Sequence, residues 1–324
     1  MAIHAQRWAL KGEWRIARGS RRFAETVTVE LRDGLVAGRG ECLPYARYGE
    51  SIDSVTAQLE ALKPALEAGL ERDELQGRLP AGAARNAVDC ALWDLAAKST
   101  GQRVWQLVGL SPPKPLISAY TLAIDSPEAM AAAAKDHTHR PLLKVKLAGD
   151  DADRARVAAV HTAVPEAQLI IDANESWTPS RYLELAPSLA ELGVVLIEQP
   201  LPADRDAPLA ELPHPVPVCA DESCHTAADL ERLAGRYDVV NLKLDKTGGL
   251  TAALELRAQA QQRGFELMVG CMMATSLAMA PAFVVAGEAL FVDLDAPLWL
   301  AEDRTPKVEF RASELQPPPA ALWG

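Results

Sequence analysis

Residues 169–198 read LIIDANESWTPSRYLELAPSLAELGVVLIE: an apolar run ending on Asp172, a leucine-rich interval, and a second apolar run ending on Glu198. Near-continuous apolar runs of this length are what strands buried on both faces look like, and a helix between two of them makes a parallel β-α-β unit. The unit repeats in both directions. Lys144-Val145-Lys146 before it, and Asp221 and Lys243 after it, complete a series of charged strand ends spaced 26, 26, 23 and 22 residues from Lys146 onward. That step is about one strand plus one helix, so successive strand ends fall at neighbouring places on the rim of one parallel barrel, where barrels of this kind build their active sites.

Working outward, the alternation begins after the proline-rich Ser111-Pro-Pro-Lys-Pro115, which reads as a boundary. Eight strands are expected: Ile117 to Ile124, Leu142 to Leu147, Leu169 to Asn174, Val194 to Gln199, Val218 to Ser223, Val239 to Asp245, Glu266 to Cys271 and Phe291 to Asp295. Ahead of the boundary, Glu25-Thr-Val-Thr-Val-Glu30 alternates and Asp33-Gly34 turns it into Leu35 to Glu41, a hairpin pattern. Helical spacing follows over Ser51 to Gly69 and Ala81 to Thr100, with Gly101 placed for a left-handed C-terminal cap. The expected class is α/β, with an N-terminal α+β capping domain over residues 1–112, a modified eight-stranded barrel over 113–300, and a tail, 301–324, that packs on the capping domain.

Composition narrows the function. Apolar residues at 49% and charged residues at 24% describe an ordinary globular protein. A net charge of −11 disfavours nucleic acid and anionic membrane as partners, because phosphate binding rests on clustered lysine and arginine. His4, Gln6 and Arg7 interrupt the first residues, no apolar run is long enough to span a membrane, and the five cysteines are scattered and odd in number. A cytoplasmic protein with reduced thiols is expected.

Lys144 and Lys146 stand two apart on one strand and so face the same way, into the barrel. Crowding by a second lysine and partial desolvation both favour the neutral amine that a base must be. Asp172, Glu198 and Asp221 end three consecutive strands and offer only hard oxygen donors, which favours Mg²⁺ over Zn²⁺. Alternation in Val239-Val-Asn-Leu-Lys-Leu-Asp245 places Asn241, Lys243 and Asp245 on one face and sends Lys246 to the other, toward a surface or loop role. Lys146 and Lys243 would then oppose each other across the barrel mouth, one removing an α-proton beside a carboxylate and the other returning a proton to the opposite side, with Lys144 holding or neutralising that carboxylate. Asp293-Leu-Asp295 pairs two acids on one face, an arrangement that asks for a cation such as a substrate ammonium group. The spread from metal to ammonium site suits a dipeptide. Three other features carry less: Cys219-x4-Cys224-His225 lacks a second ligand pair, His137-Thr-His139 falls in a connection, and Gly248-Gly249 fits either an anion cradle or tight strand-to-helix packing.

Taken together, these residues resemble the enolase superfamily in its muconate-lactonizing subgroup, and within it the L-Ala-D/L-Glu dipeptide epimerases. The motifs are Gly40-Glu41 with Tyr45-x-Arg-Tyr-Gly49, Ala83-Ala-Arg-Asn-Ala-Val-Asp-Cys-Ala-Leu-Trp-Asp94, Lys144-Val-Lys146, Asp172-Ala-Asn174, Glu198-Gln-Pro200, Ala220-Asp-Glu-Ser223, Asn241-Leu-Lys243, Lys246-Thr-Gly-Gly249 and Asp293-Leu-Asp-Ala-Pro297. Sites of that superfamily use a lysine or histidine base with magnesium. The resemblance implies a (β/α)7β barrel, Asp172, Glu198 and Asp221 as Mg²⁺ ligands, Lys146 and Lys243 as the acid/base pair acting through an enediolate, and Thr121, Lys144, Asp293 and Asp295 as substrate contacts. The seventh strand ends Gly270-Cys271-Met272 without a histidine, unlike the mandelate-racemase subgroup. A glutamyl side chain needs a further cation. Arg18, Arg21 and Arg22 lie in the loop expected over the barrel mouth, and Arg18 is taken. The expected partner is a small dipeptide, with a homo-oligomer allowed, and murein peptide recycling follows by analogy with the family. Rival expectations are an o-succinylbenzoate synthase or cycloisomerase, and a barrel that binds a ligand without turnover.

Overall fold

Eight short parallel strands, Tyr120–Leu122, Leu142–Lys146, Gln168–Asp172, Val194–Glu198, Val218–Ala220, Val239–Leu242, Glu266–Gly270 and Phe291–Asp293, pair in sequence order in the computed structural model, which describes residues 1–324. A hydrogen bond of 2.8 Å from Ala119 N to Val292 O joins the last strand to the first and closes the ring. Helices cover the outside, the longer ones being Asp153–Ala163, Pro179–Glu191, Leu250–Gln262 and Ser276–Val285. The fourth connection is reduced to the 3₁₀ turn Ala207–Glu211, and only the four-residue helix Ala296–Trp299 follows the eighth strand, so the barrel has the (β/α)7β form.

Strand alternation sorts the barrel interior into layers. Ala119, Leu142, Ile170, Leu196, Cys219, Val239, Met268 and Phe291 form an apolar floor. Two residues further along the same strands stand Thr121, Lys144, Asp172, Glu198, Asp221, Asn241 and Asp293, all buried. The charged layer therefore rests on a dry base. Gly270 belongs to it for a steric reason: a Cβ there would come within 2.8 Å of the Asn241 side chain and 3.0 Å of Lys243 Cε.

The capping domain is a three-stranded antiparallel sheet, Ala2–Ile16, Gly19–Asp33 and Val36–Cys42, backed by helices Ile52–Glu67 and Ala83–Thr100. Ser51 and Ser54 close a capping box at the first helix, and Gly101 ends the second in the left-handed region at φ 70°. A Cβ at Gly40 would lie 2.1 Å from Ala87 O, so glycine lets that helix sit directly on the sheet.

Two boundaries differ from expectation. The segment expected as one strand from Ile117 to Ile124 is split: Leu116–Ile117 pairs antiparallel with Glu314–Leu315 of the tail, and only Tyr120–Leu122 enters the barrel. The sixth strand stops at Leu242, where the chain turns into the short helix Leu244–Thr247.

Candidate active site

Asp172, Glu198 and Asp221 arrive on adjacent strand ends, each essentially without solvent exposure. No three Asp, Glu, His or Cys side chains are arranged as a preformed cage for a metal ion. Lysines hold the acids instead. Lys144 Nζ stands 3.3 Å from Asp172 Oδ2, 2.6 Å from Glu198 Oε2 and 2.7 Å from Asp293 Oδ2. Lys146 donates to Asp172 Oδ2 at 2.5 Å and Lys243 to Asp221 Oδ2 at 2.6 Å. Because they come from the second and sixth of eight strands, Lys146 and Lys243 approach one pocket from opposite sides of the ring.

The electrostatics correct one expectation. Burial works to discharge Lys144, but Asp293, Glu198 and Asp172 outweigh it and hold the ammonium well above its usual range. Lys243 follows the same pattern, burial being overcome by Asp221 and Glu198. Carboxylates in contact, and not the neighbouring lysine, decide the charge of Lys144. On the acid side, burial is outweighed at Asp172 by Lys146 and Lys144, and at Asp221 by Lys243 and Lys246, so both carboxyls are held low. Glu198 is raised by burial and by Asp172.

The donor set fits a hard divalent cation. Glu198 Oε1 accepts from Asn241 Nδ2 at 2.9 Å, whereas Oε2 is buried, approaches Lys144 outside hydrogen-bond geometry and receives no donor. Three buried carboxylates with an oxygen left over form an all-oxygen set of the kind Mg²⁺ takes.

At the other end of the pocket, Asp295 Oδ2 accepts from Thr121 N at 2.7 Å and Asp293 Oδ1 lies 3.4 Å from Thr121 Oγ1. Burial and the proximity of Asp293 push Asp295 up to about 7. Above the site, Arg18 reaches from the capping domain to Glu222 Oε1 at 2.6 Å, Glu175 Oε2 at 3.3 Å, Asn174 O at 3.2 Å and Tyr45 Oη at 3.1 Å. Arg21 also lines the pocket, without a salt bridge, while Arg22 is exposed and outside it.

Several functional side chains escaped sequence reasoning. Glu175, held in the left-handed region at φ 69°, receives Arg47 through two 2.8 Å bonds as well as Arg18, and so ties two capping-domain loops to the barrel rim. Glu222 lines the pocket beside Asp221 and is pushed up to about 7 by burial and Asp221, against Arg18. Lys246, expected at the surface, is fully buried on Asp221. Asp245, expected to share the face of Lys243, turns to the capping domain and accepts from Leu43 N and Asn86 Nδ2. Gly248 and Gly249 press against Arg85 and Asp89, which makes them packing glycines. Cys219 and Cys224 are buried thiols with no part in a metal group, and His137 packs against Tyr120 in a tilted arrangement with ring centroids 3.8 Å apart.

The chain is similar to known proteins over nearly its whole length. Residues 1–109 match the mandelate racemase/muconate lactonizing enzyme N-terminal domain, and residues 128–321 match the enolase C-terminal domain-like family. An L-Ala-D/L-Glu epimerase of Escherichia coli is 50% identical over 97% of this chain and 98% of its own. An N-acetyl-D-glutamate racemase of Pseudoalteromonas is 47% identical over 92% and 95%. Among solved structures, an enolase family member from Agrobacterium tumefaciens with homology to dipeptide epimerases, with sodium and L-Ala-L-Glu bound, superposes with a TM-score of 0.98 at 51% identity, covering 100% and 99% of the two chains. A dipeptide epimerase from Enterococcus faecalis in complex with Mg and L-Leu-L-Tyr gives 0.91 at 30% identity, covering 98% and 96%.

Proposed function

The chain belongs to the enolase superfamily and is an isomerase, and from that premise we propose that it is a Mg²⁺-dependent epimerase of L-Ala-D/L-Glu-type dipeptides. The observation that carries this reading is the pair of lysines, Lys146 and Lys243, entering one pocket from opposite sides of the ring with three carboxylates between them. One amine takes the α-proton of the C-terminal residue from one face, and the other, as an ammonium, delivers a proton to the opposite face, so the centre inverts. Bound to Asp172, Glu198 and Asp221, Mg²⁺ would supply a Lewis acid that lowers the cost of the second negative charge next to the substrate carboxylate. With those carboxylates committed to the cation, Lys146 and Lys243 would be released from the partners that bind them here. Lys144 is then placed to hold the substrate carboxylate.

Thr121, Asp293 and Asp295 form the end suited to the dipeptide ammonium, and Arg18 is the cation we assign to the glutamyl side chain. The acid pair favours a dipeptide over an N-acyl glutamate, which has no ammonium to offer it. It likewise disfavours eliminating or cycloisomerising chemistry. Such a dipeptide is a fragment of bacterial wall peptide, so the setting we propose is murein peptide recycling in the cytoplasm; no helix is long and apolar enough to cross a membrane.

The test is incubation with L-Ala-L-Glu and Mg²⁺ in D₂O. Deuterium is expected at the glutamyl α-carbon of both epimers, and Lys146→Ala or Lys243→Ala should each lower epimerisation by about 10³-fold while leaving exchange in one epimer only. Wild-type protein that incorporates no deuterium, or that turns over N-acetyl-glutamate with the higher kcat/KM, would overturn the dipeptide reading.

A further inference from the structure

Lys246 is the one lysine of this cluster that never reaches the pocket. It sits on the short helix Leu244–Thr247 with a fully buried side chain, and its three N–H groups are all used: Asp221 O at 2.5 Å, Asp221 Oδ1 at 2.7 Å and Asn241 O at 2.9 Å. Lys243, three residues earlier, takes the other carboxylate oxygen of Asp221 and does line the pocket. Two lysines thus divide one carboxylate, an oxygen each. Lys243 already pairs with Asp221, and burying a second ammonium on the same carboxylate is costly. Its bonds also do more than neutralise. They fix the main chain of Asp221 and of Asn241, and Asn241 Nδ2 in turn holds Glu198 Oε1 at 2.9 Å.

We infer that Lys246 is a positioning residue for the cation site: by keeping Asp221 Oδ1 occupied, it presents Oδ2 to the pocket and makes Lys243 the amine that lets go when a cation binds. This rests on Asp221 being a Mg²⁺ ligand, as proposed above. Partners that orient a metal ligand typically contribute 10–100-fold to affinity.

The experiment titrates MgCl₂ alone into wild type, Lys246→Met and Lys246→Gln by calorimetry, with thermal melts of each. Lys246→Met should weaken the Mg²⁺ Kd by at least about tenfold, and Lys246→Gln, which keeps a donor for Asp221 Oδ1, should fall between the two. A merely structural lysine would lower the melting temperature and leave the Kd of the folded protein within about twofold of wild type, and that result overturns the inference. Should the variants not fold, ¹⁵N-lysine-labelled wild type decides it: on adding Mg²⁺ the Lys243 ammonium protons should lose their protection from exchange and those of Lys246 keep it, and the reverse sinks the idea. Wild type that binds no Mg²⁺ removes the metal reading itself, whereas tight binding in wild type and Lys246→Met alike removes only this inference.

Discussion

A carboxylate that accepts a bond from a backbone amide ordinarily ionises easily, yet Asp295, bonded to Thr121 N, is pushed up to about 7 by burial and by Asp293. The sign of the consequence follows from which form binds. Only ionised Asp295 attracts a substrate ammonium, so the KM for L-Ala-L-Glu should rise by about tenfold as the pH falls from 8 to 6. N-Acetyl-glutamate, which has no ammonium, should show no such rise, and Asp295→Asn should give a high, flat KM for the dipeptide. A wild-type KM that stays level over that range would remove Asp295 from the ammonium site. Stability responds in the same direction as protonation. The folded carboxyl holds its proton to higher pH than an unfolded aspartate does, so this group's contribution is full below about 4 and is lost as the pH rises through 7.

At the scale of one element, the turn Leu244–Thr247 marks where sequence reading stops working. The barrel strands were legible because apolar runs and terminal charge coincide at Asp172, Glu198 and Lys146, each the last residue of its strand. Alternation carried past Leu242 assumes an extended chain, but Lys246 N and Thr247 N both bond to Lys243 O, at 2.9 and 3.0 Å, and close a helical turn. That turn swings Lys246 inward and Asp245 outward. A signal was present: Gly248, left-handed at φ 79°, is a helix-ending residue, and lysines three apart lie on the same side of a helix. Glu175 and Glu222 left no such trace, since their role depends on Arg18 and Arg47 arriving from the other domain. Asp245 now links the turn to the capping domain, accepting from Leu43 N at 3.1 Å and Asn86 Nδ2 at 2.8 Å, and burial, with Glu50 and Glu41 nearby, pushes it up to about 7. An asparagine oxygen can accept the same two bonds without a buried charge. Asp245→Asn should therefore raise the melting temperature by about 2–4 °C at pH 8, by less at pH 5, and not at all below about pH 4; a loss at both pH 8 and pH 5 would show that the charge itself holds the domains together.

Across the whole molecule, the capping domain, barrel and tail meet at an ion pair between the buried Glu41 and the partly buried Arg304. Arg304, from the tail, bonds to Glu41 at the end of the capping sheet, to Gln6 Oε1 and Thr28 Oγ1 at 2.7 Å, and to Thr275 Oγ1 at 2.7 Å, at the start of a barrel helix. Glu41 is buried and also accepts from Thr275 N at 2.8 Å. The apolar core crosses the same boundary, since Leu10, Trp14, Leu43 and Trp93 of the capping domain share one cluster with Leu147, Ile171 and Leu294 of the barrel. Arg18 and Tyr45 of the capping domain line the pocket. Removing one partner leaves a buried charge with reduced compensation, which costs about 3–5 kcal/mol, whereas removing both costs less. Arg304→Met should lower stability by about 3 kcal/mol in urea, and adding Glu41→Gln to it should restore part of the loss. Because the core is continuous, tryptophan fluorescence and far-ultraviolet circular dichroism should still report a single shared transition. If the two probes separate in the variant, the ion pair and not the shared core is what makes the domains unfold together.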